Sequence, residues 1–182
     1  MMVAPYPLWS YYPTRDRPPD WVEEFVAAVN GVRADVDSTQ VKGLNSDLVL
    51  SHLRPGLEAI GYRIEAGKKA VDKITLPVLY GDQGMARVRY DVDGVHEELG
   101  ILLEVEAGRG ARGNAVYRDL VRTSLIVDAK YLALGVMNEY HHKSGGKPII
   151  VRSYHDAREQ LDAIYASRRL KLPFEGVLLF GY

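Results

Sequence analysis

Apolar and polar positions along this chain follow two periods, one helical and one of strands. From Trp21 to Val36 apolar residues recur every three to four positions, at Trp21, Phe25, Val29, Val32 and Val36, which predicts an amphipathic helix. Asp20 stands where an N-cap belongs, and Glu23 stands where it completes a capping box. A second helical stretch begins near Ser46 and puts Leu50, Leu53, Leu57 and Ile60 on one face. Pro55 is expected to kink or divide it, and Gly61 to stop it. The pattern then shortens to strands at 62–65, 74–80, 86–93 and 100–107, with Pro77 marking an edge or a bulge and 81–84 a turn. The segments 86–93 and 100–107 are expected to pair with each other as a hairpin. A helix over 115–127 is expected to turn Tyr117, Leu120, Val121 and Leu125 inward. Residues 131–137 are nearly all apolar and suit the centre of a sheet. A polar, glycine-bearing loop at 141–147 and a short strand at 149–152 follow. Ser153 or Asp156 is placed to cap a helix carrying Leu161, Ile164 and Tyr165, and 176–182 closes as a strand.

Helices first, then strands, then alternating helix and strand predict an α/β fold: a mixed sheet with helices on both faces. Prolines at 5, 7, 13, 18 and 19 forbid regular helix in residues 1–19, which read as an extended N-terminal arm lying on the domain or on a second subunit. Residues 20–182 read as one domain, a length able to bury a real core.

Composition narrows the class. With 47% hydrophobic and 26% charged residues, the chain is of ordinary globular type. No apolar run approaches the ~20 residues of a membrane span, and the first residues lack the layout of a secretion signal. The absence of cysteine excludes disulfides and Cys-ligated zinc, so a cytoplasmic setting is expected. A net charge of −1 argues against bulk electrostatic binding of nucleic acid. Basic residues nevertheless gather at Arg63, Lys68 and Lys69, at Arg87 and Arg89, at Arg109 and Arg112, and at Arg118 and Arg122. Acidic residues concentrate over 91–106. The near-zero sum therefore allows a basic groove around an acidic centre.

That acidic centre is where the chemistry points. On the strand 100–107, Ile101, Leu103 and Val105 share one face, and Leu102, Glu104 and Glu106 share the other. Two carboxylates one strand repeat apart, with Asp91 or Asp93 arriving from the neighbouring strand, are costly beside a core unless a cation neutralises them. Mg²⁺, an oxygen-seeking ion that keeps several waters, fits such a set, and phosphodiester hydrolysis is the chemistry it serves. Asp93 is preferred over Asp91 because it stands nearer the turn, where a ligand can leave the sheet plane. The competing reading is a solvated acidic face paired with Arg87 and Arg89.

The segment 108–114, Gly-Arg-Gly-Ala-Arg-Gly-Asn, leads from this strand into a helix, so Arg109 and Arg112 are candidates to grip phosphates. Lys68 and Lys69 are weaker candidates. His141 and His142 are adjacent on an extended segment and point opposite ways, a poor joint metal site. No zinc-binding His spacing and no serine-nucleophile motif occurs.

Asp93 followed by Glu104-Val105-Glu106 on an apolar strand, and then by a helix opening Tyr117-Arg118-Asp119-Leu120, resembles the PD-(D/E)xK nuclease superfamily over roughly residues 46–137. Glu106 occupies the position usually held by lysine, which is similar to a minority branch of type II restriction enzymes. The resemblance implies a restriction-endonuclease-like fold and a Mg²⁺- or Mn²⁺-dependent DNA endonuclease. It implies Asp93 and Glu104 as metal ligands assisted by the Val105 carbonyl, and Glu106 acting on water or on a second ion. It also implies a further acidic group from a preceding helix, for which Glu58 and Glu65 are candidates, and phosphate contacts from Arg109, Arg112 and Arg118. Cutting both strands of a duplex implies a homodimer. The alternative is a catalytically inactive nuclease-fold protein that serves as a nucleic-acid-binding or protein-interaction module.

Overall fold

A computed structural model describes residues 5–108, 114–167 and 169–182. Its central sheet has six strands: β1 (Leu8–Tyr12), β2 (Arg63–Ile64), β5 (Gly94–His96), β6 (Ile101–Glu106), β7 (Tyr131–Val136) and β10 (Gly176–Gly181). Their order is β1-β10-β7-β6-β5-β2. β6, β7 and β10 run parallel, whereas β1, β5 and β2 pair antiparallel to their neighbours. The strands β7 and β10 are apolar on both faces because both faces are covered.

Alternation along β6 sorts its side chains between two cores. Ile101, Leu103 and Val105 join Trp21, Phe25, Leu50, Leu53 and Leu57, from α1 (Trp21–Gly31) and α3 (Ser46–Glu58). Leu102 faces the other way, toward Val116 and Leu120 of α4 (Ala115–Ser124) and Leu161 and Ile164 of α5 (Ser153–Ser167). The fold is thus α/β, with helices on both faces of a mixed sheet. Residues 8–12 of the proline-rich segment are themselves an edge strand, paired to β10 from Leu8↔Gly181 to Tyr12↔Val177. No helix among the described residues is long and apolar enough to cross a membrane.

The predicted first helix divides at Val32 into α1 and α2 (Arg33–Val36), and still buries Trp21, Phe25, Val29 and Val36. The capping box does not form. Asp20 already has helical φ/ψ and its side chain caps nothing, so the first turn closes through backbone bonds from Val22 N to Pro19 O and Glu23 N to Asp20 O. Asn45 caps α3 instead, its Oδ1 accepting from Leu48 N at 2.9 Å. Pro55 lies inside α3 without dividing it.

Three expectations are corrected. The strand β4 (Ala86–Val92) does not pair with β6; it pairs with β3 (Ile74–Tyr80) in a separate two-stranded ribbon, with a register shift beside Pro77. The hairpin partner of β6 is the short β5. The polar segment at 141–147 is no loop but a ribbon of β8 (Tyr140–Ser144) and β9 (Lys147–Val151), turning at Gly145 and Gly146, both at positive φ. Finally, α4 buries Val116, Asp119, Leu120 and Thr123 and exposes Tyr117 and Val121, with Leu125 exposed just beyond its end. Its packed face is part polar because it closes over the acidic residues of β6.

Candidate functional site

Asp93 sits where the chain changes sheets. It follows β4 of the outer ribbon and precedes β5 of the central sheet. Its carbonyl accepts from Glu65 N at 2.8 Å, and its carboxylate Oδ2 accepts from Val105 N at 2.7 Å. The side chain thereby takes the ladder hydrogen bond of a strand that has turned away. One short row of backbone brings together Glu65 after β2, Asp93 before β5, and Glu104 and Glu106 on β6.

These residues line a cleft of about 350 Å³. Six carboxylates border it (Glu65, Asp91, Asp93, Glu104, Glu106 and Asp119) against three cations, Lys73, Arg118 and Arg122. Glu65, Glu104 and Asp119 are at most 8% exposed. Burial raises the Asp93 carboxyl to about 6, with the charges of Glu65 and Asp119 adding to the effect and the Val105 N–H and Lys73 opposing it. The Glu104 carboxyl is raised well above the ordinary glutamate range, first by burial and then by the charges of Asp93 and Asp119. Burial, with a hydrogen bond to Asp119, raises Glu106 to about 7 against the pull of Arg118.

The cations hold the rim. Arg118 donates to a Glu106 carboxylate oxygen and, from Nε at 2.9 Å, to Asp119. Lys73 Nζ lies 2.7 Å from both Glu65 oxygens. Arg122 donates to Asp91 O at 3.3 Å and lies over the Tyr90 ring at 5.3 Å. The pairing of Glu65 with Lys73 gives a direct prediction. Removing one partner of a buried ion pair costs ~3–5 kcal/mol. The Lys73 side chain is 27% exposed, so Lys73→Met should cost less, about 2–3 kcal/mol. Urea unfolding at pH 7 measures this; an unchanged midpoint would show that the pair contributes nothing.

Of the residues singled out from sequence, Asp93, Glu104, Glu106, Glu65, Asp91 and Arg118 all line the cleft. Asp91 is the outermost acid; it is exposed on β4, its Oδ1 accepting from Thr75 Oγ1 at 2.8 Å. Glu58 is exposed at the end of α3 and does not line the cleft. Nor do Lys68 and Lys69: Lys68 pairs with Asp47 at 2.9 Å, and Lys69 is exposed. Arg87 and Arg89, the expected partners of the acidic face, are also outside it. Arg109 and Arg112 lie outside the described residues.

Three site residues escaped the sequence reading of the site: Lys73, Asp119 and Arg122. For Asp119 alone the sequence holds a signal, since Asp119 and Thr123 are polar residues one turn apart on the side of α4 that carries Val116 and Leu120. As the side chains stand, no group of three or more His, Cys, Asp or Glu among the described residues is arranged to hold a metal ion. Arg118 and Lys73 take up Glu106, Asp119 and Glu65, which leaves the carboxylates of Asp91, Asp93 and Glu104 without a direct cation contact among the described residues. Comparison of the chain with protein families, with characterised proteins and with solved structures finds no match.

Proposed function

We propose that this protein is a divalent-metal-dependent phosphodiester hydrolase, a DNA endonuclease of restriction-endonuclease-like architecture in which Asp93 and Glu104 hold the ion. One observation carries the reading: the buried Glu104 and the half-buried Asp93 sit together, both with raised carboxyl pKa values, on a cleft rimmed by Lys73, Arg118 and Arg122. Like charges kept together in this way burden the fold unless a cation joins them. The donor set is all oxygen, which suits Mg²⁺ or Mn²⁺. Mg²⁺ is commonly held by one or two carboxylates, waters and substrate phosphate, so a pair is sufficient and a three-carboxylate cage is not required.

The bound ion would polarise a phosphoryl oxygen and acidify a water. The protein's own groups supply the rest. Arg118 and Arg122 face the phosphates. Lys73 adds an ammonium where the family motif places its lysine on the strand itself. Glu106, with its carboxyl near 7, is tuned to accept a proton from the attacking water. A homodimer would cut both strands of a duplex.

Supercoiled plasmid incubated with the protein and Mg²⁺ or Mn²⁺ should yield nicked and linear forms, and EDTA should prevent it. Intact plasmid and intact RNA in the presence of folded protein would overturn the proposal. A second reading, a non-catalytic nucleic-acid-binding or interaction module, is favoured by one observation: Glu65, Glu106 and Asp119 are already paired with Lys73 and Arg118. That reading requires indifference to divalent ions.

A further inference from the structure

A second cavity, of about 550 Å³, opens between the segment leading into β1, the residues around α2, and the start of α5. Its wall is aromatic, with Tyr6, Trp9 and Tyr154 among its lining residues. Arg33 lies over the Tyr6 ring at 4.7 Å. Its acids are occupied within the protein. Asp37 accepts from Arg33 Nε at 3.2 Å and from Thr39 Oγ1 at 2.6 Å, and Glu139 pairs with His141 at 2.9 Å. Of its cations, Arg33 is held by Asp37 and the other two are less engaged. Arg152 has no carboxylate partner among the described residues, and Arg158 stands 3.9 Å from Asp162. Arg152 immediately precedes α5, at the positive end of that helix.

Asn138 also lines the pocket; its Nδ2 donates to Gly181 O at 3.1 Å, and its Oδ1, like the Tyr6 hydroxyl, is enclosed by protein.

We propose that this pocket binds an unstacked nucleotide, with its base against the exposed Trp9 ring and its phosphate at Arg152, close to Arg158. Aromatic faces stack bases whatever their sequence, and arginines hold phosphate. Position agrees with this. The pocket lies beyond the carboxyl ends of the parallel strands, the usual ligand side of an open α/β sheet. Tyr182 links it to the acidic cleft: its carbonyl accepts from Asn138 N at 2.8 Å, and its hydroxyl donates to Glu106 O at 2.9 Å. β10 and β6 are separated only by β7, so their ends are about 10 Å apart. The pocket uses none of the cleft residues and stands whether or not the cleft cleaves phosphodiesters.

Trp9 is 42% exposed and Trp21 is 8% exposed, so fluorescence quenching reports on this pocket, and Trp9→Phe should abolish the signal. The full chain is titrated in EDTA with AMP, inorganic phosphate, phosphotyrosine and a short single-stranded DNA. AMP should bind about tenfold more tightly than phosphate, the gain from one stacked base. Arg152→Ala, at an exposed position, should weaken AMP about fivefold with an unchanged melting temperature. Glu104→Gln should bind AMP as wild type does, which separates this result from the fate of the hydrolase reading. Competition by single-stranded DNA assigns the occupant to a strand, and its absence assigns a free nucleotide. Any one of three results overturns the proposal: no saturable quenching by AMP, phosphate or phosphotyrosine binding as tightly as AMP, or an Arg152→Ala affinity equal to wild type.

Discussion

Glu104→Gln is expected to abolish metal-dependent cleavage and, above pH 7 without metal, to leave the protein more stable than wild type. Removing a ligand from a Lewis-acid site forfeits several kcal/mol of transition-state stabilisation, and each ~1.4 kcal/mol is a tenfold change in rate. The rate loss should therefore be on the order of 10³-fold. Stability moves the other way. Glu104 is buried beside Asp93 and Asp119, and its raised carboxyl means that its charge opposes folding. Glutamine keeps the shape and removes the charge, for a gain of about 1–3 kcal/mol. A substitution that merely damaged the fold would lower both quantities. Plasmid nicking and urea unfolding of the same preparation distinguish the two outcomes.

Metal-free wild-type protein should lose stability as pH rises from about 4 to 7. The sign follows from the carboxyls. Asp93 titrates near 6 rather than 3.8, and Glu106 near 7 rather than 4.5. Between those values the folded chain holds protons that the unfolded chain has released. Unfolding therefore becomes easier as pH rises through the window, and the effect saturates above it. Moving Asp93 alone from 3.8 to about 6 corresponds to about 3 kcal/mol as an upper figure. Glu106 is closer to solvent and adds less. Divalent metal should reverse the trend. An ion at a hundred times its Kd adds ~2.7 kcal/mol, and only ionised carboxylates bind it. Added Mn²⁺ should thus raise the unfolding midpoint markedly at pH 8 and little at pH 5. A metal-free protein whose stability rises smoothly from pH 4 to 8 would contradict the assigned carboxyl environment.

The sequence carried the faces of elements better than their partners. Alternation along 101–106 correctly separated Ile101, Leu103 and Val105 from Glu104 and Glu106, because period two fixes which side a residue occupies. It says nothing of which strand lies alongside, so sequence alone pairs β4 with β6 although the chain leaves the outer ribbon at Asp93. The spacing of Tyr117, Leu120, Val121 and Leu125 suggests a buried face, yet of the four only Leu120 is buried, and the helix packs through Val116, Asp119, Leu120 and Thr123. A helix that closes an acidic cleft buries polar residues, and hydrophobic periodicity then points to the wrong side. Residues 141–147 read as loop because β8 is polar on both faces. Lys73 could not be seen as a site residue, since only the fold brings it from the start of β3 to Glu65. Asp93, Glu104 and Glu106 were legible because carboxylates on an otherwise apolar strand are rare without a purpose.

Isothermal titration with Mn²⁺ at pH 8 probes the Asp93–Glu104 pair most directly, with Asp93→Asn, Glu104→Gln and, as a control away from the cleft, Glu58→Gln. One tightly bound ion per wild-type chain is expected, kept by the control and weakened at least about tenfold by each of the other two substitutions. Wild-type protein that takes up no ion, or cleft variants that bind as the control does, would leave Asp93 and Glu104 without the role assigned to them.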